Sequence, residues 1–555
     1  MQINYTGHIT RAEWRWVILT SCVLTLFAFL PFLWILLSGV VGNGWHFMGV
    51  LHDPYTSAVH LSHVFQGSQD FWQSQVLFTP EAHEAALIEP LYTFLGQVSR
   101  LMNLSPIMMY HVARVGAGIC MYMAFYQLAA NIWSKLRTRR IFFVLLSVGS
   151  GFGWLLAPLT GHTTYLDVSS PGIYPYYSSL VNVHLPIALT GLALLASVCV
   201  PILRPGEVPF PTVQNGGVIV FALSLILVFV APLVFIPLAV AFLLNITLIW
   251  YQERAYVKAQ ANWALWLVVP ALPMILYYVL LFQNNAVIHQ AWRQQHTDPP
   301  VSLVILVLSL GIPLILAVPG LYRGVRRFEQ DGDQFMLLWL LIMLLLTYLP
   351  TLVQQEFMIG LMIPLAYFAT RAIEDFWFRY IRRKWRLRLM VAFVPLLAAS
   401  NIMMTVLPMI VLSNQKGDER AEVLLPESYV AAFDWMKERV RPQDVILAAP
   451  EVSLWIPSWL GGRVVYGHPS LTLDSQDKKQ AVSAWYAEDN EQDCDTRFLD
   501  GVYVPGKRGY PVRYVLYGPK EAKLGMAACL NLLTPLAQFD TLRIYVYLPD
   551  VLPER

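Results

Sequence analysis

The chain reads as a polytopic α-helical membrane protein with about eleven transmembrane helices, followed by a small soluble α/β domain. Three observations lead there. Of its 555 residues, 56% are hydrophobic and only 13% charged, a balance that excludes an ordinary soluble protein. Eleven apolar runs approach the roughly 20 residues that a spanning helix needs, and the basic residues between them alternate from loop to loop. After residue 412 the pattern changes to short strand-like runs alternating with helical ones.

The runs lie at about 17–41, 106–131, 141–158, 183–203, 216–232, 233–251, 263–283, 301–321, 335–352, 355–373 and 389–412. The apolar stretch 216–250 is too long for one helix, and Ala231, Pro232 and Pro237 mark a break into two spans. If the N-terminus is cytoplasmic, eighteen Lys and Arg fall on the cytoplasmic side, including Arg11, Lys135, Arg204, Arg254, Arg323 and the run 379–388; only Arg100 and Arg293 fall opposite. By the positive-inside rule the N-terminus is then inside, while the loop 42–105 and the region after 412 are outside. Val17–Val41 is long enough to span and no small-residue cleavage site follows a short apolar core, so an uncleaved signal anchor is expected. Cys22, Cys120 and Cys199 lie in spans. Cys494 and Cys529 share the outer domain, where an oxidising compartment invites a disulfide, two unpaired thiols being the alternative.

The first outer loop, Trp45–Pro90, concentrates acids and histidines in an otherwise apolar chain, with Asp53 at its centre. Such a carboxylate can stay ionised and still meet a substrate anchored in lipid. The sequence after Asp53 predicts a short interfacial helix carrying Ala58, Leu61, His63 and Phe65. Glu89–Asn103 has Leu91, Phe94, Leu95, Val98 and Leu101 at helical spacing and reads as a helix in the membrane plane. His52, Asp53, Glu81, His83 and Glu84 are oxygen and nitrogen donors close in sequence, which leaves a divalent metal open, although their spacing matches no zinc pattern. The alternative places Glu81, His83 and Glu84 on the wet end of a helix.

His111 and Arg114 stand three residues apart in the outer third of the second span, on one helical face. Ionisable groups at such depth face a cavity or a partner, unless Arg114 snorkels or pairs structurally. The third run ends in SVGSGFGWLLAP, whose glycines permit close packing or a local break. Behind it a Tyr-rich outer loop holds Asp167, Asn182 and His184, groups that suit sugar binding, while its tyrosines equally suit the interfacial belt. A third outer loop, 283–300, offers His289, Trp292, Arg293, His296 and Asp298, and Gln354, Gln355 and Glu356 form a polar cluster at another outer turn.

In 413–555, strand-like runs Val445–Pro450, Arg463–Gly467, Arg513–Gly518 and Arg543–Leu548 alternate with helical patterns Tyr429–Val440 and Gln476–Tyr486, which predicts a mainly parallel sheet. No glycine fingerprint for nucleotide phosphates is present. The domain is expected to cap a membrane site or grip an acceptor.

FMGVLHDPYTSAVHLSHVFQG, GSGFGWLL and YSSLVNVHLP, followed by DVILAAPEVSLWIPSWLGGRVVYGHPSLT in an appended domain, resemble the GT-C superfamily of lipid-linked-sugar-dependent glycosyltransferases. That class includes protein O-mannosyltransferases and aminoarabinose transferases, and the likeness is to bacterial members with a C-terminal soluble domain. Many relatives carry two acids in the first loop, whereas here His52 precedes Asp53. The resemblance implies a GT-C-like transmembrane domain over 1–412, with a catalytic outer loop at 42–105, and a soluble extracytoplasmic domain over 413–555. It also implies transfer of a sugar from a polyprenyl phosphate in the bilayer to a glycan, lipid or protein acceptor, usually with inversion. Asp53 would then be the general base, and Arg114, His111 or Arg293 would stabilise the lipid phosphate. His52, Tyr55, Asp167, Asn182 and His184 would bind sugar or acceptor. Nothing in the pattern points to nucleic acid.

Two other classes compete. A secondary transporter has a similar number of spans but usually shows repeated halves and ionisable groups near mid-membrane, whereas here the polar material sits in loops. A non-catalytic protein of cell-envelope assembly would need neither Asp53 nor Arg114.

Overall fold

The structure is a computed structural model that describes residues 7–39, 44–203, 216–253, 258–296, 299–328, 332–350, 353–414, 422–525 and 527–547. Arg204, Arg254 and Asp298 lie outside the described residues. Among the described residues, eight helices are long and apolar enough to cross a membrane: Arg11–Leu37, Pro106–Ile132, Leu136–Thr160, His184–Ile202, Pro232–Gln252, Gln260–Asn284, Leu303–Arg327 and Gln354–Tyr380. Arg383–Leu397 and Ala399–Asn414 form a pair bent by 43°, and Gly216–Val230 and Asp333–Tyr348 are shorter apolar helices. Between them these elements fall on every apolar run in the sequence, and the protein is a multi-pass membrane protein. The break at Ala231 separates Gly216–Val230 from Pro232–Glu253, where the proline has no N–H to continue the ladder. Leu19, Leu26, Phe27 and Leu36 of the first helix are exposed, as side chains meant for hydrocarbon should be.

Contacts divide the chain into two compact units. One comprises Met1–Pro31, Val112–Tyr278 and Pro299–Pro408; the other comprises Phe32–His111, Val279–Asp298 and Met409–Arg555. The first is a helical body whose core includes Tyr122, Phe125, Phe142, Leu189, Trp339 and Tyr367. Its glycines serve contact: a Cβ on Gly151 would stand 1.7 Å from the carbonyl oxygen of Ser309. Glu13 is pinned by Arg139 and by the Tyr126 hydroxyl, each at 2.9 Å, so its charge is satisfied away from water.

The second unit joins the first loop to the C-terminal region. Strand β1 (Trp45–Phe47) pairs antiparallel with β2 (Leu424–Pro426). Strands β3 (Val445–Leu447), β4 (Arg463–Val464), β5 (Val512–Tyr517), β6 (Thr534–Phe539) and β7 (Leu542–Val546) form one sheet in the order β4-β3-β5-β7-β6. Only the β4-β3-β5 half is parallel; β5-β7 and β7-β6 are antiparallel, so the sheet is mixed, not mainly parallel. The sequence reading missed β1 and β2, and within the larger sheet it missed β6, whose Pro535 argues against a strand unless it lies at an edge, which it does. Cys494 and Cys529 are bonded, with Cα atoms 5.5 Å apart.

Candidate active site

In the second unit, Asp53 opens the helix Pro54–Ser68. Its own backbone is left-handed (φ 46°), and its Oδ1 accepts from the Thr56 N–H at 3.2 Å, a cap that satisfies one orphan donor of the first turn. The residue before a proline rarely takes this conformation, and the side chain it presents is exposed. The helix is not interfacial: every residue from Ser57 to Gly67 is buried. Gly67 and Gly96 let it approach the helix Pro90–Met102 closely, a Cβ on Gly67 falling 2.2 Å from the Thr93 carbonyl oxygen.

That second helix starts in the same way. Glu89 precedes Pro90 and is left-handed (φ 44°), but it makes no side-chain cap. Its Oε2 is sealed between two imidazoles, His63 Nδ1 at 3.2 Å and His60 Nε2 at 3.5 Å, although part of the side chain reaches the surface. Burial alone would raise the Glu89 pKa; His60 and His63 outweigh it and hold the carboxyl well below its usual range. His60 stacks on Tyr92 at 4.1 Å between ring centroids. This cluster was not among the sequence candidates, yet two signals were present: His60 and His63 at helical spacing, and the acid-proline pair of Asp53 and Pro54 repeated at Glu89 and Pro90.

Between the two helices, residues 74–88 form an extended strap, closed on itself by a bridge between Ser74 and Ala86. C-terminal residues hold it. Val464 N donates to Leu77 O at 3.1 Å, Thr472 Oγ1 to Phe78 O at 2.7 Å, and Tyr510 N to Pro80 O at 2.9 Å. Arg463, 1% exposed, donates to the Thr79 and Glu81 carbonyls at 3.2 Å and to Gln75 Oε1 at 2.9 Å. Lys478, also 1% exposed, pairs with Glu81 at 2.5 Å. Glu81, His83 and Glu84 are therefore part of the strap and not on a helix end, and Glu81 is held by Arg463 and Lys478 of the C-terminal sheet domain. Burial, then Arg463, push the His83 imidazole down to about 4, and its neutral Nε2 accepts from the Val76 N–H at 3.0 Å.

The other sequence candidates divide by unit. In the second unit, His52 is buried and its carbonyl accepts from Ser57 Oγ at 3.3 Å. The exposed Tyr55 faces Glu422 across 3.5 Å and packs edge-on to His468. His111 Nε2 lies 2.7 Å from the Gly49 carbonyl oxygen, and Arg293 is exposed on the helix Ala286–Gln295. Asn285, which caps that helix, donates to the Glu84 carbonyl at 3.3 Å. In the first unit, Arg114 is buried, donates to the Leu180 carbonyl and packs over Phe29. A cation there suits the end of the helix Pro175–Val181. Asn182 is buried in the turn that follows, and His184 begins the helix His184–Ile202. Asp167 has no exposed surface; its Oδ2 accepts from Gly153 N at 2.8 Å and Ser400 Oγ at 2.5 Å, which caps the helix Gly153–Thr160. Among the described residues no three His, Cys, Asp or Glu are arranged to hold a metal ion, and Glu81 and His83 are already engaged by protein groups.

No protein-family model matches the chain, and no curated protein matches it in sequence. Solved structures match it in fold. The Archaeoglobus fulgidus oligosaccharyltransferase in its apo form is 13% identical with a TM-score of 0.51, over 92% of this chain and 70% of that one. The same protein in complex with zinc and sulfate is 14% identical with a TM-score of 0.48, over 90% and 67%. ArnT from Cupriavidus metallidurans bound to undecaprenyl phosphate is 11% identical with a TM-score of 0.53, over 98% of this chain and 100% of that one. The chain shares its fold with the Archaeoglobus fulgidus oligosaccharyltransferase and with ArnT.

Proposed function

We propose that the chain is a membrane glycosyltransferase that moves a sugar from a polyprenyl-phosphate donor to an acceptor hydroxyl on the outer face of the membrane. The observation that carries this reading is the match in fold to ArnT, bound there to undecaprenyl phosphate, over nearly the whole of both chains. The orientation follows from the distribution of basic residues, and the bond between Cys494 and Cys529 supports an oxidising compartment for the C-terminal domain.

Asp53 is the proposed base. It is an exposed carboxylate whose backbone is fixed by the helix it caps, so the group is held without being buried. In an inverting transfer it takes the proton of the acceptor hydroxyl as that oxygen attacks the anomeric carbon. The bond from that carbon to the phosphate oxygen breaks, and its electron pair leaves with the polyprenyl phosphate. The cation proposed for that phosphate is Arg293; His111, whose Nε2 is already bonded to the Gly49 carbonyl, is assigned no step. Arg114 is already committed to Leu180, and Asp167 to Gly153 and Ser400, so neither is assigned a step.

Transfer from a polyprenyl-phosphate sugar, measured in nanodiscs, tests the reading. Asp53→Asn keeps the shape and removes the base, so turnover should fall by about two to four powers of ten with donor binding retained. Transfer at the parent's rate would remove Asp53 from the chemistry, and absence of any transfer by the parent from a panel of such donors would remove the transferase reading itself.

A further inference from the structure

The parallel half of the C-terminal sheet has a crossing point. Chain order runs from β3 out to β4 on one side and then back past β3 to β5 on the other, so the connections leave the carboxyl ends of β3 and β5 in opposite directions. In open α/β sheets the crevice at such a point is where ligands bind, because strand-end amides converge there without side chains to fill the gap. The residues at these strand ends are small: Ala448 and Ala449 after β3, Gly518 after β5.

The crevice holds the carboxylate of Glu521, which has no exposed surface. Its Oε1 accepts from Ala449 N at 2.8 Å, and its Oε2 from Gly518 N at 3.0 Å and from the Tyr429 hydroxyl at 2.5 Å. Tyr429 is itself oriented, its oxygen accepting from Lys520 N at 3.0 Å, and a Cβ on Gly518 would stand 2.8 Å from that oxygen. Tyr486 ties the same two strands from below, donating to Leu447 and Leu516 carbonyls at 3.1 and 2.8 Å. No ion pair among the described residues includes Glu521. Burial raises the pKa of this carboxyl, while the Tyr429 hydroxyl and the Ala449 and Gly518 amides act against that rise by bonding its charged form; with no countercharge among the described residues, these are the surroundings of a bound anion rather than those of a salt bridge.

We propose that this crevice is a carboxylate-binding site which the chain fills with its own Glu521, so that the C-terminal domain takes no diffusible anion there. The inference is independent of the transferase reading. It is tested on the full chain in detergent by thermal unfolding of the parent and of Glu521→Ala, in sodium acetate and in sodium chloride at equal ionic strength. Removing the internal ligand should lower the midpoint, and acetate should recover about 2 °C or more of it in the variant while leaving the parent no different from its chloride control. An equal response of the two proteins to acetate would overturn the proposal. If Glu521→Ala cannot be purified in either salt, Glu521→Gln decides. A bound carboxylate predicts a clear fall in midpoint, because the new NH2 must face the N–H of Ala449 or Gly518. A Gln variant as stable as the parent would show that the two amides do not need a carboxylate between them, and that result would sink the idea.

Discussion

Asp53 and Glu89 occupy matching places and end in opposite states. Each is an acid before a proline, each has a left-handed backbone, and each begins one of two helices packed closely together. Asp53 spends one oxygen on its own helix and remains exposed, whereas Glu89 makes no cap and turns its Oε2 between His60 and His63. The backbone device is therefore not what decides the role. What decides it is the neighbouring turn: Asp53 meets Thr56 N–H and solvent, while Glu89 meets the His60 and His63 face of the partner helix. A carboxylate already paired with two imidazoles is a poor proton acceptor for a substrate, which is why the base is assigned to Asp53.

The largest effect expected is on chemistry. Asp53→Asn should lower turnover by about two to four powers of ten, and Glu89→Gln should not approach that loss. The reverse outcome, a silent Asp53→Asn and an inactive Glu89→Gln, would exchange the two roles and break the comparison.

Next in size is the strap that joins the two acids. Lys478→Met leaves Glu81 charged and without its cation at a site where the lysine is 1% exposed. Breaking a buried pair from one side typically costs about 3–5 kcal/mol. Denaturant unfolding should show that loss, and Glu81→Gln combined with Lys478→Met should recover part of it. A single variant as stable as the parent would mean that the strap is held by its main-chain bonds alone.

Acid should act on the same region. His83 and His468 are both pushed down to about 4, His83 by burial and then Arg463, His468 by burial. The folded state thus keeps both rings neutral where the unfolded chain, titrating near 6.5, takes up protons. Stability is present in full above about pH 6.5 and is lost as pH falls toward 4, by at most about 3 kcal/mol for each ring. His468 Nδ1 accepts from both Ser470 and Leu471 N–H at 3.1 Å, so its protonation also costs those bonds. Unfolding midpoints between pH 7 and 5 measure this; a slope unchanged in a His83→Asn, His468→Asn double variant would assign it to other groups.

How much of this could be read in advance depends on the range of each interaction. The apolar runs and the break at Ala231 are local, and the helices follow them closely. The acid-proline start at Asp53 was visible for the same reason. Glu89 was read only as the first residue of an amphipathic helix, because nothing near it in sequence says that His60 and His63 face it. The strap was misread for a stronger version of that reason: Lys478 lies 397 residues beyond Glu81, and without it Glu81, His83 and Glu84 look like the wet end of a helix. Arg114 was legible as a costly charge in an apolar setting and Asp167 only as a polar group of a Tyr-rich outer loop, and their partners, the Leu180 carbonyl and Ser400, carry no signature in the sequence.

Glu89→Gln sharpens the contrast on the side of stability. The neutral amide keeps one acceptor but gives up the charge that faces both imidazoles, and hydrogen bonds to charged groups are worth about 1.5–3 kcal/mol. A midpoint shift of that order, with transfer largely retained, is the expected signature of a structural acid.

The smallest effect belongs to the other member of the pair, and it separates Asp53's two duties. As a cap, Asp53 offers one oxygen to Thr56 N–H at 3.2 Å from an exposed position, and removing such a cap costs about 1 kcal/mol. Asp53→Ala should therefore lose about that much stability, while Asp53→Asn, whose amide oxygen can still accept from Thr56 and which tolerates a left-handed backbone as well as any residue with a side chain, should lose almost none. If both variants are equally inactive while only the alanine is destabilised, the carboxylate is needed for its charge and basicity rather than for holding the helix. If the asparagine proves as unstable as the alanine, the loss of transfer in Asp53→Asn says nothing about a base, and the comparison with Glu89 has to be rebuilt on substrate binding measured directly.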